Sequence, residues 1–258
     1  MSLFTRKPKS PTPSPVADTA AVHRTSTGPA VDLAKMEATA PGLVSLYKSA
    51  GVSLCKQGLE GSRAAVYLVL DYSGSMQGFY ADGSVQAFAE RVLAAAAHFD
   101  DDGIVPVVFF GWDAHRPESI ALDSYQGRIA ALMRGREWGS TNYVAAMEAV
   151  CAHYRASGAT DPALVIFQTD GAPDHIRDTE AALRDMSSLP IFWQFVGFGR
   201  DDFRFLRNLD TLSGRLVDNA GFFAAGAAPR AMPDGELYDN LMGEFPQWLR
   251  DARTAGVL

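Results

Sequence analysis

The chain has 258 residues, 47% hydrophobic and 21% charged, which suits one large α/β domain with short appendages. Its net charge of −7 is unevenly spread: residues 1–62 carry seven basic and four acidic side chains, residues 63–258 sixteen and twenty-six. An acidic domain without a basic stripe excludes nucleic acid as a partner, since that binding needs clustered Lys and Arg against phosphates; all five lysines (Lys7, Lys9, Lys35, Lys48, Lys56) precede the first predicted core strand, so lysine chemistry within the domain is excluded as well.

Residues 1–30 are rich in Pro, Ser and Thr and poor in large apolar side chains, so they cannot bury enough surface to offset the entropy of ordering and read as a disordered tail. The basic N-terminus lacks an apolar leader core, and nowhere do 18 uninterrupted apolar residues occur. The expectation is a cytoplasmic protein with no direct membrane insertion. Residues 31–62, with the apolar segment Leu43-Val44-Ser45-Leu46-Tyr47, read as an arm packing on the domain, and Cys55 falls in what reads as linker. Cys55 and Cys151 have no metal-ligand spacing and indicate neither a zinc site nor a disulfide framework.

From Arg63 strand-like and helix-like runs alternate, the pattern of a mostly parallel sheet covered on both faces. Tyr67–Leu70 reads as a buried strand, and Val85, Phe88, Ala89, Val92, Leu93, Ala96 and Phe99 recur at helical spacing. The Asp100-Asp101-Asp102-Gly103 run that follows reads as a solvated turn, lacking the later ligands of a calcium loop. Ile104–Phe110 is the next strand, Ser119–Leu122 a short edge strand, and Tyr125–Met133 a helix. Then come a helix over Tyr143–Arg155, a strand over Ala163–Gln168, a helix over Asp178–Met186 and a strand over Ile191–Val196. Phe203–Leu212 reads as helical, Arg215–Asp218 as extended, and Leu237–Ala252 as a helix kinked near Pro246, which lacks a backbone N–H.

The chemistry concentrates in three loops. Asp71-Tyr72-Ser73-Gly74-Ser75 follows the apolar run Ala64–Leu70 and delivers a carboxylate and two hydroxyls into one turn. Gly139-Ser140-Thr141-Asn142 precedes a helix, and Thr169-Asp170-Gly171 follows another apolar run. A hard dication such as Mg²⁺ takes six oxygen ligands, so alternate Asp, Ser and Ser at a strand end suit it. Each piece alone has a plainer reading: Asx or Ser turns at Asp71, and a helix N-cap at Thr141, for which Ser140 and Asn142 compete. Asp174 reads as the cap of the following helix rather than an anchor for the metal loops, and His175 as a solvated loop residue. Trp112, Trp138 and Tyr143 flank the rim; packing beneath the loops is the expectation, an aromatic contact surface the alternative.

Together, the Asp-x-Ser-x-Ser turn after a buried strand, the Ser-Thr loop entering a helix and the Thr-Asp-Gly after another strand resemble the metal-ion-dependent adhesion site (MIDAS) of von Willebrand factor A (vWA) domains. Residues 43–223, including Tyr67–Met76, Ala89–Leu93 and Val217–Phe223, are similar to the bacterial tellurium-resistance TerF group of these domains. The resemblance implies a doubly wound, mostly parallel central sheet flanked by helices, over residues 63–258 with C-terminal helices, and a metal at the carboxyl edge. It makes Ser73, Ser75 and Thr141 direct oxygen ligands of Mg²⁺ or Mn²⁺, with Asp71 and Asp170 holding coordinated waters or switching to direct contact. It implies a noncatalytic module that recruits an Asp or Glu of a partner protein to the metal, with other tellurium-resistance proteins among the partners implied.

Two further readings stand beside it. A haloacid-dehalogenase-like phosphohydrolase would use a strand-end Asp as nucleophile, but Ser73 occupies the place of its second Asp, and no lysine follows Lys56. A scaffold with a purely structural metal would carry its interactions on the Pro-rich tail. A serine hydrolase and a P-loop nucleotidase lack their Gly-x-Ser-x-Gly and Gly-Lys-Ser/Thr elements.

Overall fold

The computed structural model describes residues 28–258, and the reading of a disordered tail falls, up to residue 27, outside them. Chain order begins with two helices, α1 (Leu33–Thr39) and α2 (Val44–Gln57). The elements β1 (Ala65–Asp71), α3 (Gln77–Ala81), α4 (Ser84–Ala96), β2 (Ile104–Phe110), β3 (Glu118–Ala121) and α5 (Arg128–Leu132) follow. The second half runs α6 (Tyr143–Ser157), β4 (Ala163–Thr169), α7 (Ile176–Asp185), β5 (Ile191–Phe198), α8 (Arg204–Asp210), β6 (Ala220–Gly226), α9 (Asp234–Met242) and α10 (Phe245–Thr254).

The six strands form one sheet in the order β3-β2-β1-β4-β5-β6, parallel except for the antiparallel edge pair β2/β3. Strand β1 lies between β2 and β4, so successive crossovers leave it on opposite sides, and a crevice opens at the carboxyl ends of β1 and β4. Leu70 pairs with Gln168, which sets Asp71 beside Thr169. The period-2 alternation of a strand then splits the core. Val66, Leu68 and Leu70 face a layer of α2, α4, α9 and α10, while Tyr67 and Val69 face α6 and α8. Both layers are apolar, which is why these strands read as continuous apolar runs.

The segment before the sheet is helical and seated. Ala30 and Val31 donate backbone N–H groups to the His98 and Ala97 carbonyls at 3.1 and 2.8 Å. The Tyr47 hydroxyl donates to the Val31 carbonyl at 2.6 Å, and Lys56 pairs with Asp239 of α9 at 3.2 Å. Cys55 therefore stands on the exposed side of α2, not in a linker: α2 runs on to Gln57 and stops at Gly58, whose left-handed φ of 68° ends the helix.

Three further expectations are corrected. Arg215–Asp218 is not extended; it bends, with Arg215 paired to Asp218 at 2.7 Å and donating to the Asp210 carbonyl at 2.7 Å. The edge strand is instead Ala220–Gly226, whose small residues carry little strand propensity and which is ordered by its ladder to β5. The Tyr125–Met133 helix shortens to five residues because the chain up to Gly127, with φ of 63°, is a turn. Pro246 does not kink one long helix: two helices meet there, and Pro246 lies in the first turn of the second, where no N–H is needed. Among the described residues no helix is long and apolar enough to cross a membrane.

Candidate metal centre

Asp71 is the last residue of β1 and is fully buried. Its Oδ1 accepts the Ser73 N–H at 2.8 Å, the tight turn that sends the chain back over the strand end. Its Oδ2 accepts the Thr169 hydroxyl at 2.7 Å. Thr169 in turn accepts from the buried Tyr143 hydroxyl at 2.9 Å. Beneath this relay Phe167 packs against Tyr143, Phe110 and Phe195 with ring centroids 4.8, 5.0 and 5.0 Å apart. Such aromatic pairs contribute about 0.5–1.5 kcal/mol each beyond area burial, so the carboxylate rests on a rigid floor.

From Asp71 the oxygen atoms continue outward. Ser73 Oγ lies 3.0 Å from Ser75 Oγ, and Ser75 Oγ donates to Asp170 Oδ1 at 3.0 Å. Four of the five sequence-derived residues thus form one hydrogen-bonded chain from a buried carboxylate to a half-buried one. Thr141 reaches the same edge through its backbone. Gly139 donates to the Tyr72 carbonyl at 2.9 Å and accepts from Gly74 at 3.3 Å, while Asp174 N–H donates to the Thr141 carbonyl at 3.0 Å. The Thr141 hydroxyl has no hydrogen-bond partner among the described residues. Asn142, not Thr141, caps α6, its side chain accepting the Ala145 N–H at 3.2 Å.

The expectation that Asp174 caps the next helix is overturned. Its Oδ2 accepts the Thr141 N–H at 3.0 Å, tying two loops together, and His175 stands at the cap of α7 without a side-chain cap bond. His175 is exposed. Of the flanking aromatics, Tyr143 is core and Trp138 lies on Tyr72 at 4.3 Å, but Trp112 is 73% exposed. Asp201 was not singled out from the sequence; it follows β5 and adds negative charge near Asp170. An Asp pair just past a buried strand was the available signal.

The electrostatics point one way. Burial pushes the Asp71 carboxyl up to about 6, against the pull of the Thr169 and Ser73 hydrogen bonds and with Asp170 adding to the rise. Burial also raises Asp170. Neither carboxylate has a cationic partner within salt-bridge reach among the described residues. No three His, Cys, Asp or Glu side chains converge among the described residues; the donors here are two carboxylates and three hydroxyls. An all-oxygen set whose two carboxylates no described cation offsets fits a hard dication, whose charge would favour the ionised forms that burial disfavours.

An open, doubly wound sheet with such a cluster at its switch point is the arrangement of a vWA-type domain. The chain belongs to the vWA-TerF-like family, described as the vWA domain found in the TerF C terminus, which matches residues 63–258. It is similar to the uncharacterised protein YcbR of Bacillus subtilis, 35% identical over 216 residues, covering 82% of this chain and 88% of that one. Among solved structures it resembles proximal thread matrix protein 1 of the mussel byssus, with a TM-score of 0.51 and 15% identity over 70% of this chain and 47% of that one. One structure of that mussel protein has a zinc-occupied MIDAS motif. A von Willebrand factor type A protein from Catenulispora acidiphila matches with a TM-score of 0.50 and 19% identity, over 70% of this chain and 43% of that one. The chain spans about half the length of these solved chains, and the likeness to them is one of fold.

Proposed function

We propose that this protein is a metal-dependent protein-interaction module that binds Mg²⁺ or Mn²⁺ at Asp71, Ser73, Ser75, Thr141 and Asp170 and recruits an acidic side chain of a partner. The observation that carries the reading is the hydrogen-bonded chain from Asp71 through the Ser73 amide, Ser73 Oγ and Ser75 Oγ to Asp170, anchored in the core at one end, half-exposed at the other, and without an ion-paired cation among the described residues. A bound dication supplies charge that offsets both carboxylates and a coordination position for an incoming Asp or Glu. The chain's own residues do the rest. Thr169 and the Ser73 amide hold Asp71 in one orientation, Asp174 holds the Thr141 loop, and Asn142 leaves Thr141 free of capping.

Ser73 in place of a second catalytic Asp, and the absence of lysine after Lys56, favour a noncatalytic role over a phosphohydrolase. The family's TerF name supports a place in a tellurium-resistance or related stress response, with protein partners from that system. Calorimetric titration with Mg²⁺, Mn²⁺ and Zn²⁺ tests the metal. Affinity capture with and without EDTA, comparing wild type with Asp71→Ala, tests the partner. Uptake of metal and metal-dependent capture, both lost in Asp71→Ala with the circular dichroism spectrum retained, are expected. Folded protein that takes up no metal, or capture indifferent to EDTA, would remove the reading.

A further inference from the structure

A groove of about 940 Å³ runs between α3, α5 and the 133–138 segment. One wall is aromatic: Trp138 lies 4.3 Å from Tyr72 and 5.4 Å from Tyr80, ring centroid to centroid. Ile129 and Met133 continue the apolar lining, and Arg134 and Arg136 supply its charge. No Asp or Glu among the described residues lines it, although the chain as a whole carries a net charge of −7. Arg136 is engaged, paired to Glu118 at 3.3 Å and lying over the Phe109 ring at 5.2 Å. Arg134 is exposed and makes no ion pair among the described residues.

The groove is continuous with the metal rim. Gln77 and Gly78, which follow Ser75 closely, line it, and Tyr72 stands between Asp71 and Ser73. The Tyr80 hydroxyl donates to the Asp71 carbonyl at 2.9 Å, and the Tyr72 hydroxyl to the Arg136 carbonyl at 2.6 Å. The same rings therefore wall the groove and hold the backbone of the candidate metal loop. At Gly78 and Gly127 nothing lies within 4 Å of an added Cβ, so a backbone has room to pass at both places.

We propose that this groove receives an extended acidic segment of a partner protein, with a large apolar or aromatic side chain against Tyr72, Tyr80 and Trp138 and a carboxylate drawn to Arg134. This deepens the metal-dependent reading and rests on it only for a second carboxylate placed on the metal. Aromatic contacts supply affinity, and Arg134, in a groove that no described carboxylate lines, supplies selection by charge.

The test is selection of a displayed random-peptide library on the intact, Mg²⁺-loaded chain, followed by fluorescence anisotropy with the enriched peptides. Enriched sequences should pair Asp or Glu with a nearby aromatic or large aliphatic residue. Their affinity should fall about tenfold or more in Arg134→Glu and in Ala130→Glu, both exposed positions. Arg134→Lys should retain most of it. If EDTA abolishes binding while Arg134→Glu and Ala130→Glu leave it unchanged, the groove is overturned and the metal reading survives. If the groove variants weaken binding while EDTA and Asp71→Ala do nothing, the metal reading falls and the groove stands. No enrichment, or self-association in sedimentation that Ala130→Glu dissolves, overturns the partner segment.

Discussion

Thr169 Oγ1 donates to Asp71 Oδ2 at 2.7 Å while accepting from the Tyr143 hydroxyl at 2.9 Å, so the orientation of the candidate metal carboxylate is set from inside the core. Thr169→Val keeps the shape but removes the donor. The expected result is a fall in Mg²⁺ or Mn²⁺ affinity of about 10- to 100-fold with the fold intact, read by calorimetric titration and circular dichroism. Unchanged affinity would mean that the relay only fills space.

The raised Asp71 carboxyl makes the stability of the metal-free protein depend on pH with a definite sign. Its folded value, about 6, lies above the ordinary 3.8, so the folded state binds the proton more tightly than the unfolded chain. That contribution is fully present below about pH 4 and is lost as pH rises through 6. That rise corresponds to an upper bound on the order of 3 kcal/mol. In EDTA, Asp71→Asn should therefore be more stable relative to wild type at pH 7.5 than at pH 4, and Mg²⁺ should raise the melting temperature of wild type alone. Parallel melting curves for the two proteins across this range would refute the assignment.

Asp174 and Asn142 flank Thr141 but do different work, and their variants should separate. Asp174→Ala frees the Thr141 N–H, so metal affinity should fall while melting temperature barely moves. Asn142→Ala removes the α6 cap and should cost about 1 kcal/mol of stability in urea denaturation. The reverse pattern would assign the cap and the tether the other way round.

Gly139 sits against Gly111, and a Cβ there would stand 2.6 Å from Gly111 Cα and 2.7 Å from the Trp112 nitrogen. Gly139→Ala must push the Thr141 loop off the strand edge, costing about 1–3 kcal/mol and weakening metal binding. Gly171→Ala, which meets nothing within 4 Å, is the control and should be neutral in thermal melts. Equal effects from the two would show that the close approach does not position the loop.

The buried strands were legible because parallel strands covered on both faces must be continuously apolar. Ile104–Phe110 was read to the residue, and Ala163–Thr169 to within one at its end. The oxygen-bearing residues stood out for a related reason: polar groups at the ends of such runs mark where the chain leaves the core. Helix α2 was missed because its buried face carries the small Ala50 and the polar Ser53 beside Tyr47 and Leu54, with Gly51 between them, and it gains its hold from α4 and α9. Strand β6 was misplaced because its Gly and Ala residues signal nothing locally; Gly221 is small because the Glu244 carboxylate lies where its Cβ would be.

What the sequence alone determined is therefore the alternation of elements, the parallel sheet and the three loops that carry oxygen. Tertiary structure alone decided which neighbour of Thr141 caps the helix, that Asp174 reaches back across 33 residues to tie the loops, and that Asp71 is locked by Thr169 across 98. It also decided that two arginines face an aromatic groove beside the rim. The division follows the range of the forces. Periodicity and turn chemistry act over a few residues and are written along the chain, whereas hydrogen-bond partners and burial are settled only when distant segments meet.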